Sequence, residues 1–322
     1  LAQERTRFNR SVMASADHLG KLTDDYQLSG HVGYGYDRLT SDWAARTLRY
    51  LTDGTLEELA TEQALLRNRR ASGQLRLQAN TERFYLRERL SADLAWSDFR
   101  SEVGGSYPNQ QHASAPSFRV ENDLDCILRN ERRTLTLSSH VLWLSQPQWL
   151  TVERADEGQR QELDIDLVRM NHNAAWALHA GRRWTFQFKG GIAALLRRME
   201  SSLAGVEATS TAVRSSLGEV GGYFTPSAIF RTHKVHLTLD LPLEVRHSRL
   251  GAERSTALLW EGRTALRWEP AACWRLTASA TLGESAPDEA QLFTATLLRD
   301  YRTLTRGITS FDRTLRRSLS AG

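Results

Sequence analysis

Apolar and polar residues alternate along much of this chain, most clearly from Val235 to Arg246. Odd-numbered positions in that run are apolar, and all even-numbered ones except Pro242 are polar or charged. A two-residue period predicts β-strands that present one face to an apolar phase and the other to a polar phase. The period returns often enough to predict an all-β protein of about 12 strands.

Several links between the alternating segments are very short. They span residues 129–133, 180–183, 232–234 and 269–273. A connection between parallel strands needs roughly a dozen residues or more, so links this short are hairpins. The strands are therefore predicted to form an antiparallel meander.

Longer polar links alternate with these short ones. They span residues 104–116, 145–161, 203–212 and 283–309, and the short link 251–254 is the exception. A soluble sandwich has no reason to gather its short turns at one end, whereas an outer-membrane barrel has short periplasmic turns and longer extracellular loops. The four short links are thus expected at one end of an antiparallel up-and-down transmembrane β-barrel.

Composition is compatible with this interpretation. The mean hydropathy is −0.47, and no run of about 18 apolar residues predicts a transmembrane helix. A transmembrane barrel hides its apolar band in the alternation. Aromatic rings favour the headgroup level of a membrane, although a soluble all-β core also ends its strands in aromatics. Four of the nine tryptophans lie near short links: Trp176, Trp184, Trp268 and Trp274.

Charge excludes one class of partner. Forty-two Lys and Arg against 38 Asp and Glu give a net charge of +4, and these charges are interleaved with apolar residues. A basic stripe for nucleic acid is therefore not predicted. Cys126 and Cys273 are expected to be unpaired thiols.

The polar positions of two strands are the candidate lumen-facing residues. These are Arg119, Glu121, Asp123, Asp125, His236, Asp240, Glu244 and Arg246. Three acidic residues on one face of a strand repel each other unless water or arginines face them, which favours a hydrated lumen over a packed core. The pair Asp164 and Asp166 is interpreted as lumen lining as well.

Motifs that would indicate catalysis, a metal site or a cofactor site are absent from the sequence. We therefore expect no enzyme activity, no catalytic or metal-binding residue and no cofactor.

Two segments depart from the pattern. Pro242 cannot donate to a strand ladder, which predicts a bulge or kink in the best strand. Residues 55–67 have a helix-forming composition, and their period predicts a short helix in a loop.

Several motifs resemble the barrels of TonB-dependent receptor-like outer-membrane proteins of the type with a carboxypeptidase-like regulatory domain. The resemblance lies in LRDYRTLTRG at 298–307, DEAQLF at 288–293, GYGYDRL at 33–39, NTERFYL at 80–86 and SQPQ at 145–148. It implies a barrel of about 22 strands, a plug inside it, and energy supplied by an inner-membrane complex through a TonB box. It also implies that the segment 55–67 belongs to the descending half of a long hairpin, and we expect a strand from about Glu62. Active transport is implied by the resemblance alone.

The chain is expected to be one piece of a larger barrel. It starts without a signal peptide, and residues 311–319 look like the beginning of another strand. Residues 1–322 would form part of a single barrel domain, with plug and regulatory domains outside this chain.

The predicted function is passage of a bulky solute, such as a peptide, glycan or metal chelate, across the outer membrane. The expected partners are outer-membrane lipid, this unknown solute and a TonB-type energy-coupling complex reached through missing N-terminal regions, with no nucleic acid. An outer-membrane adhesin or enzyme barrel and a soluble all-β binding module are the alternatives.

The facing of the strand at 235–246 can be tested with arginine. Leu239→Arg is expected to lower the free energy of unfolding by about 2–4 kcal/mol if Leu239 faces lipid near the midplane. Thr238→Arg, on the opposite face, should have a mild effect. Equal tolerance at both positions in a refolding titration would remove the lipid-facing assignment.

Overall fold

The computed structural model describes residues 2–51, 54–105, 108–130, 133–154, 157–205, 211–271, 273–294, 296–300 and 303–322. Over these residues the protein is almost entirely β-strand, with a single helical turn, a 3₁₀ turn at Glu289–Gln291. None of the described segments is a helix of sufficient length and apolarity to cross a membrane.

Seventeen strands are named in chain order. They are β1 (Ala2–Lys21), β2 (Tyr26–Leu51), β3 (Gly54–Asn80), β4 (Phe84–Gly105), β5 (Asn109–Ser114), β6 (Ser117–Asn130), β7 (Arg133–Arg154), β8 (Glu157–Ala180), β9 (Trp184–Ala204), β10 (Thr211–Arg231), β11 (Val235–Asp240), β12 (Leu243–Leu250), β13 (Glu253–Ala271), β14 (Trp274–Ser285), β15 (Thr296–Asp300), β16 (Thr303–Arg306) and β17 (Thr314–Ala321).

Fifteen of these strands form one antiparallel sheet that follows chain order from β1 to β17, while β15 and β16 form a separate hairpin. Because β5 and β6 share one place in the sheet, and β11 and β12 another, the sheet has thirteen positions. The all-β, up-and-down prediction is confirmed.

The short links also lie as predicted. In an up-and-down sheet every second link is at the same end, and the links after β6, β8, β10 and β13 are every second link. They share the short-turn end with the link 81–83. The opposite end, which carries the links after β7, β9 and β14, is called the long-link end.

Most of the predicted long loops are strands instead. Within 104–116 lies β5; β7 continues to Arg154 and β8 begins at Glu157. The part of a strand that extends beyond the apolar phase has water on both faces. The alternation of apolar and polar residues therefore disappears there, while the hydrogen-bonded pairing of the backbone continues. These hairpins extend past the roughly 9–11 residues that a membrane crossing requires.

The segment 55–67 belongs to β3, which begins at Gly54 and pairs with β2 along its whole length. The helix alternative is therefore wrong, and the strand begins earlier than Glu62. Pairing with β2 supplies the backbone hydrogen bonds that a helix would otherwise make internally.

Pro242 separates β11 from β12, and the register shows no bulge there, in contrast to the predicted bulge or kink. The register against β10 is the same on both sides of the gap, since Ser227 pairs with Asp240 and Phe224 pairs with Leu243. The Leu241 N–H still donates to the Pro226 carbonyl at 3.1 Å, and the Pro242 carbonyl accepts from the Glu261 N–H at 3.0 Å. The proline thus removes a donor and leaves the alignment of the strands unchanged.

The outer strands each have one neighbour. In the described part of the chain β1 pairs only with β2, and β17 only with β14. A pairing of β1 with β14 would have marked a small closed barrel, and the described residues do not contain it. The expectation of unpaired outer edges is met, and membership of a larger cylinder stays a prediction.

The side chain of one tyrosine connects three central strands. The Tyr223 hydroxyl on β10 donates to Asn171 Oδ1 on β8 at 2.9 Å. It crosses β9 at Gly191, where a Cβ atom would lie 2.7 Å from the tyrosine ring and 2.5 Å from the His172 carbonyl oxygen. Only glycine leaves room for this crossing.

Gly191→Ala is therefore expected to lower the free energy of unfolding by about 1–3 kcal/mol, because the tyrosine and the neighbouring backbone must shift. Gly73→Ala is the matched control. A Cβ there meets nothing within 4 Å, and an alanine should be neutral or stabilise by about 0.5–1 kcal/mol. Denaturant titrations that rank the two substitutions in the opposite order would contradict this packing.

Candidate functional site: the two faces of the sheet

One face of the sheet exposes large apolar side chains. Directly opposed residues on antiparallel strands project from the same face, so the strand register assigns them. This apolar face includes Leu90, Val120, Trp143, Trp176, Phe188, Ile192, Leu196, Val220, Phe224, Leu239, Val245, Leu258, Leu266 and Trp268, all of them exposed.

The apolar face has the same width on two strands, with Glu88 the one charged residue inside the β4 run. On β4 it runs from Phe84 to Trp96, and on β9 from Trp184 to Leu196, where Arg198 follows. Each run covers twelve residue steps, which is a length of about 40 Å along the strand. For a strand tilted by about 45° from the membrane normal, that length corresponds to a height of about 28 Å across the membrane. A transmembrane barrel presents an apolar band of about 25 Å, so the width matches.

Aromatic rings lie at both borders of this band. Near the long-link end Trp96 packs edge-to-face on Phe118 with ring centroids 6.0 Å apart. Near the short-turn end Trp184 contacts Phe230 with centroids 4.8 Å apart. The aromatic positions near the short turns were predicted, and the second border emerges only from the register.

The opposite, polar face carries the predicted acidic residues of β6. Arg89 on β4 donates to Asp123 from its Nε at 3.0 Å, and Arg87 Nη2 donates to Asp125 at 2.6 Å. Arg119 is hydrogen-bonded to Glu121 on the same strand. Arginines thus face the row of carboxylates, as the sequence required. That this face lines a lumen stays a prediction.

Glu121 and Asp123 also meet a histidine. The His140 Nδ1 lies 2.7 Å from an Asp123 oxygen and 3.7 Å from Glu121. These three side chains could supply a metal with ligand atoms that lie within 4.8 Å of one another. Arg89 and Arg119 already hold both carboxylates, and a cation would have to displace them. The arrangement is explained as an ion-pair network between strands.

The second predicted group lies elsewhere on the polar face. The Arg246 Nε donates to Glu244 at 2.7 Å, and its Nη1 lies 3.8 Å from Glu219. Asp240 and His236 share this face, opposite arginines of β13. Strands β7 to β10 separate this group from the β6 group, so the two groups form separate patches.

The pair Asp164 and Asp166 lies on the opposite face of the sheet from the other residues predicted to line a lumen. Asp166 is directly opposite Arg198, two residues from the pairing of Val168 with Leu196. Both carboxylates therefore extend from the apolar face just beyond its border, where the strand enters the polar region at the long-link end.

Sequence reasoning missed a strap, residues 288–293, that folds back from the long link onto the polar face. Leu292, 1% exposed, packs against Leu195, Leu217 and Leu250. Arg197 on β9 donates to the Glu289 carbonyl at 2.6 Å and also to the Leu292 carbonyl. The local signal was an apolar pair, Leu292 and Phe293, after the polar and proline-containing start of the link.

Comparisons with known proteins show distant likeness to outer-membrane barrels. No protein-family model and no curated protein matches the chain. Similar solved structures include the translocator domain of the autotransporter NalP from Neisseria meningitidis, with 12% identity, TM-score 0.27 and coverage of 82% of this chain and 84% of that one. The copper transporter OprC is 10% identical with a TM-score of 0.38, and the match covers 99% of this chain and 71% of that one. The ferric yersiniabactin uptake receptor FyuA from Yersinia pestis is 7% identical with a TM-score of 0.42, and the match covers 98% of this chain and 71% of that one. Likeness at this level carries no argument about function.

The ion-pair network on β4 and β6 gives a direct test. Arg89→Met leaves Asp123 and Glu121 facing each other without their shared cation, and should lower the free energy of unfolding by about 1–2 kcal/mol. Arg70→Met is the control, because Arg70 makes a single pair with Asp93 and a solvated pair contributes about 0–1 kcal/mol. Equal losses in detergent-based denaturant titrations would show that the network adds nothing to its separate pairs.

Proposed function

We propose that this chain forms part of the wall of an outer-membrane β-barrel whose polar face lines a path for a solute. The observation that carries the proposal is an exposed apolar face about as wide as the apolar band of a transmembrane barrel, bordered by aromatic rings and backed by a charged face. Strands with this alternation, and with an aromatic girdle at each border, are typical of transmembrane barrels.

The exposure of large apolar side chains supports contact of this face with lipid rather than with water. On the apolar face Ile192 is 63% exposed, Leu258 is 59% exposed and Leu196 is 58% exposed. Soluble monomers rarely expose contiguous apolar patches beyond a few hundred square ångströms, and this face continues over many strands. Antiparallel pairing satisfies the backbone groups between the strands, which the hydrocarbon phase demands.

The polar face is suited to a hydrated path without strong charge selection. Its acidic row is balanced by arginines, and Arg246 balances Glu244 and Glu219 on the second patch. A lining of mixed sign sets no strong electrostatic barrier. The proposed cargo therefore remains a bulky solute such as a peptide, glycan or metal chelate. Energy coupling through a TonB-type complex rests on the family resemblance.

An outer-membrane enzyme or adhesin and a soluble binding module remain the competing functions. An enzyme of the serine-hydrolase class would pair a serine with a histidine, and the described residues contain no serine hydroxyl hydrogen-bonded to a histidine ring. The soluble module differs in its behaviour without detergent, because it would stay monodisperse there.

The two native thiols test the membrane proposal. Cys126 lies inside the apolar band, opposite Leu86 and Leu137, whereas Cys273 is exposed at the short-turn end. After reconstitution into permeabilised lipid vesicles, a water-soluble maleimide should label Cys273 quickly and Cys126 only after unfolding in urea. Each thiol is measured with the other replaced, in Cys126→Ser and Cys273→Ser.

Equal labelling rates for the two thiols in folded, vesicle-bound protein would contradict a lipid-facing band. Monodisperse protein in the absence of detergent would do the same and would favour the soluble module. Uptake of size-graded oligosaccharides by the vesicles then tests the path itself, and vesicles no more permeable than protein-free ones would remove the transport role.

A further inference from the structure

Three arginines stand side by side on β1, β2 and β3. Arg10 is directly opposite Arg38, and Arg38 is directly opposite Arg67. Directly opposed residues have Cβ atoms about 5 Å apart, and like charges at such positions are destabilising. A row of three is an arrangement that the sheet does not need for its own stability.

Arg69 adds a fourth positive charge, two residues from Arg67 on the same face. Within the described part of the chain, none of the four side chains makes a hydrogen bond or ion pair. Arg10, Arg38 and Arg69 are exposed and Arg67 is half-buried.

One carboxylate lies next to the row. Asp98 is directly opposite Arg67, but it lies 3.2 Å from His112 and 3.7 Å from Arg100. Within the described residues Asp98 therefore forms no ion pair with Arg67, although the two are directly opposed. The four arginines keep their charge available for an outside anion.

The row lies just beyond the apolar band. Tyr36 on β2 is opposite Arg69, and Arg69 is opposite Trp96, the aromatic residue at the border near the long-link end. Residues one step past an aromatic border lie at the height of lipid headgroups. Any anion bound there would be carried by the molecules whose acyl chains cover the band.

We propose that Arg10, Arg38, Arg67 and Arg69 bind the phosphate groups of anionic lipid in the leaflet at the long-link end. This rests on the membrane function proposed above. A guanidinium group can donate two parallel hydrogen bonds to a phosphate, and the mutual repulsion of the row is relieved when phosphates lie between the arginines.

Spin-labelled lipids test this directly. The protein is reconstituted in phosphatidylcholine with a trace of spin-labelled phosphatidylglycerol or spin-labelled phosphatidylcholine, and the motionally restricted fraction of each label is measured. Wild-type protein should prefer the phosphatidylglycerol label several-fold, and the preference should fall as salt is added. The variant Arg38→Gln with Arg67→Gln should lose most of the preference.

The matched control is Arg76→Gln with Arg182→Gln, which removes the same charge from the polar face and from a short-turn link. It should keep the wild-type preference. Equal loss in both double variants would show a general charge effect and overturn the proposal. A motionally restricted fraction that is equal for the two labelled lipids would also overturn the proposal and leave the membrane function intact. If neither labelled lipid shows a restricted fraction, the membrane function itself is rejected.

Two further measurements test the repulsion within the arginine row and the alternative that the row binds free phosphate. In neutral detergent at low salt, Arg38→Gln should shift the unfolding midpoint to higher denaturant concentration, because it removes two like-charge pairs; a shift to lower concentration would contradict the described row. Inorganic phosphate should reduce the lipid preference no more than sodium chloride of equal ionic strength. A larger reduction would indicate a site for free phosphate.

Discussion

Continuous backbone pairing is the constraint on which the rest of this structure depends. Between β8 and β9 the residue pairs run from Arg160 with Ala204 to Ala180 with Trp184 without a shift. A slip of one residue would move every side chain of a strand to the other face. Because Pro242 interrupts its ladder without changing the register, the two faces stay separate across the gap. The apolar band and the polar face are both products of that alignment.

Register also decides which charges meet. Arg89 and Asp123 are distant in sequence, yet they lie directly opposite each other on β4 and β6. The same geometry that compensates charge on the polar face concentrates it on the other, where Arg10, Arg38 and Arg67 fall into line. A sheet of this kind can compensate charge on one face and leave the other face charged with the same residue type.

The sequence period was sufficient to predict strands, their antiparallel order and their two faces, since each depends on local alternation. Strand length was harder, because β7 and β8 continue into water where both faces are polar. The strap could not be predicted because Arg197 and Leu292 are far apart in the chain and neither position is unusual locally. The arginine row was hidden for a similar reason. Its members are spaced by about one hairpin, so the charges look dispersed until the register is known.

The thirteen positions of the sheet have a consequence for how it can close. Neighbouring strands alternate in direction, so β1 and β17, at the first and last positions, run the same way. Joined directly, they would form a parallel pair, whereas every pair of this sheet among the described residues is antiparallel. A cylinder in which every neighbouring pair is antiparallel has an even number of strands. Any such cylinder that includes this wall must therefore place an odd number of further strands between β1 and β17.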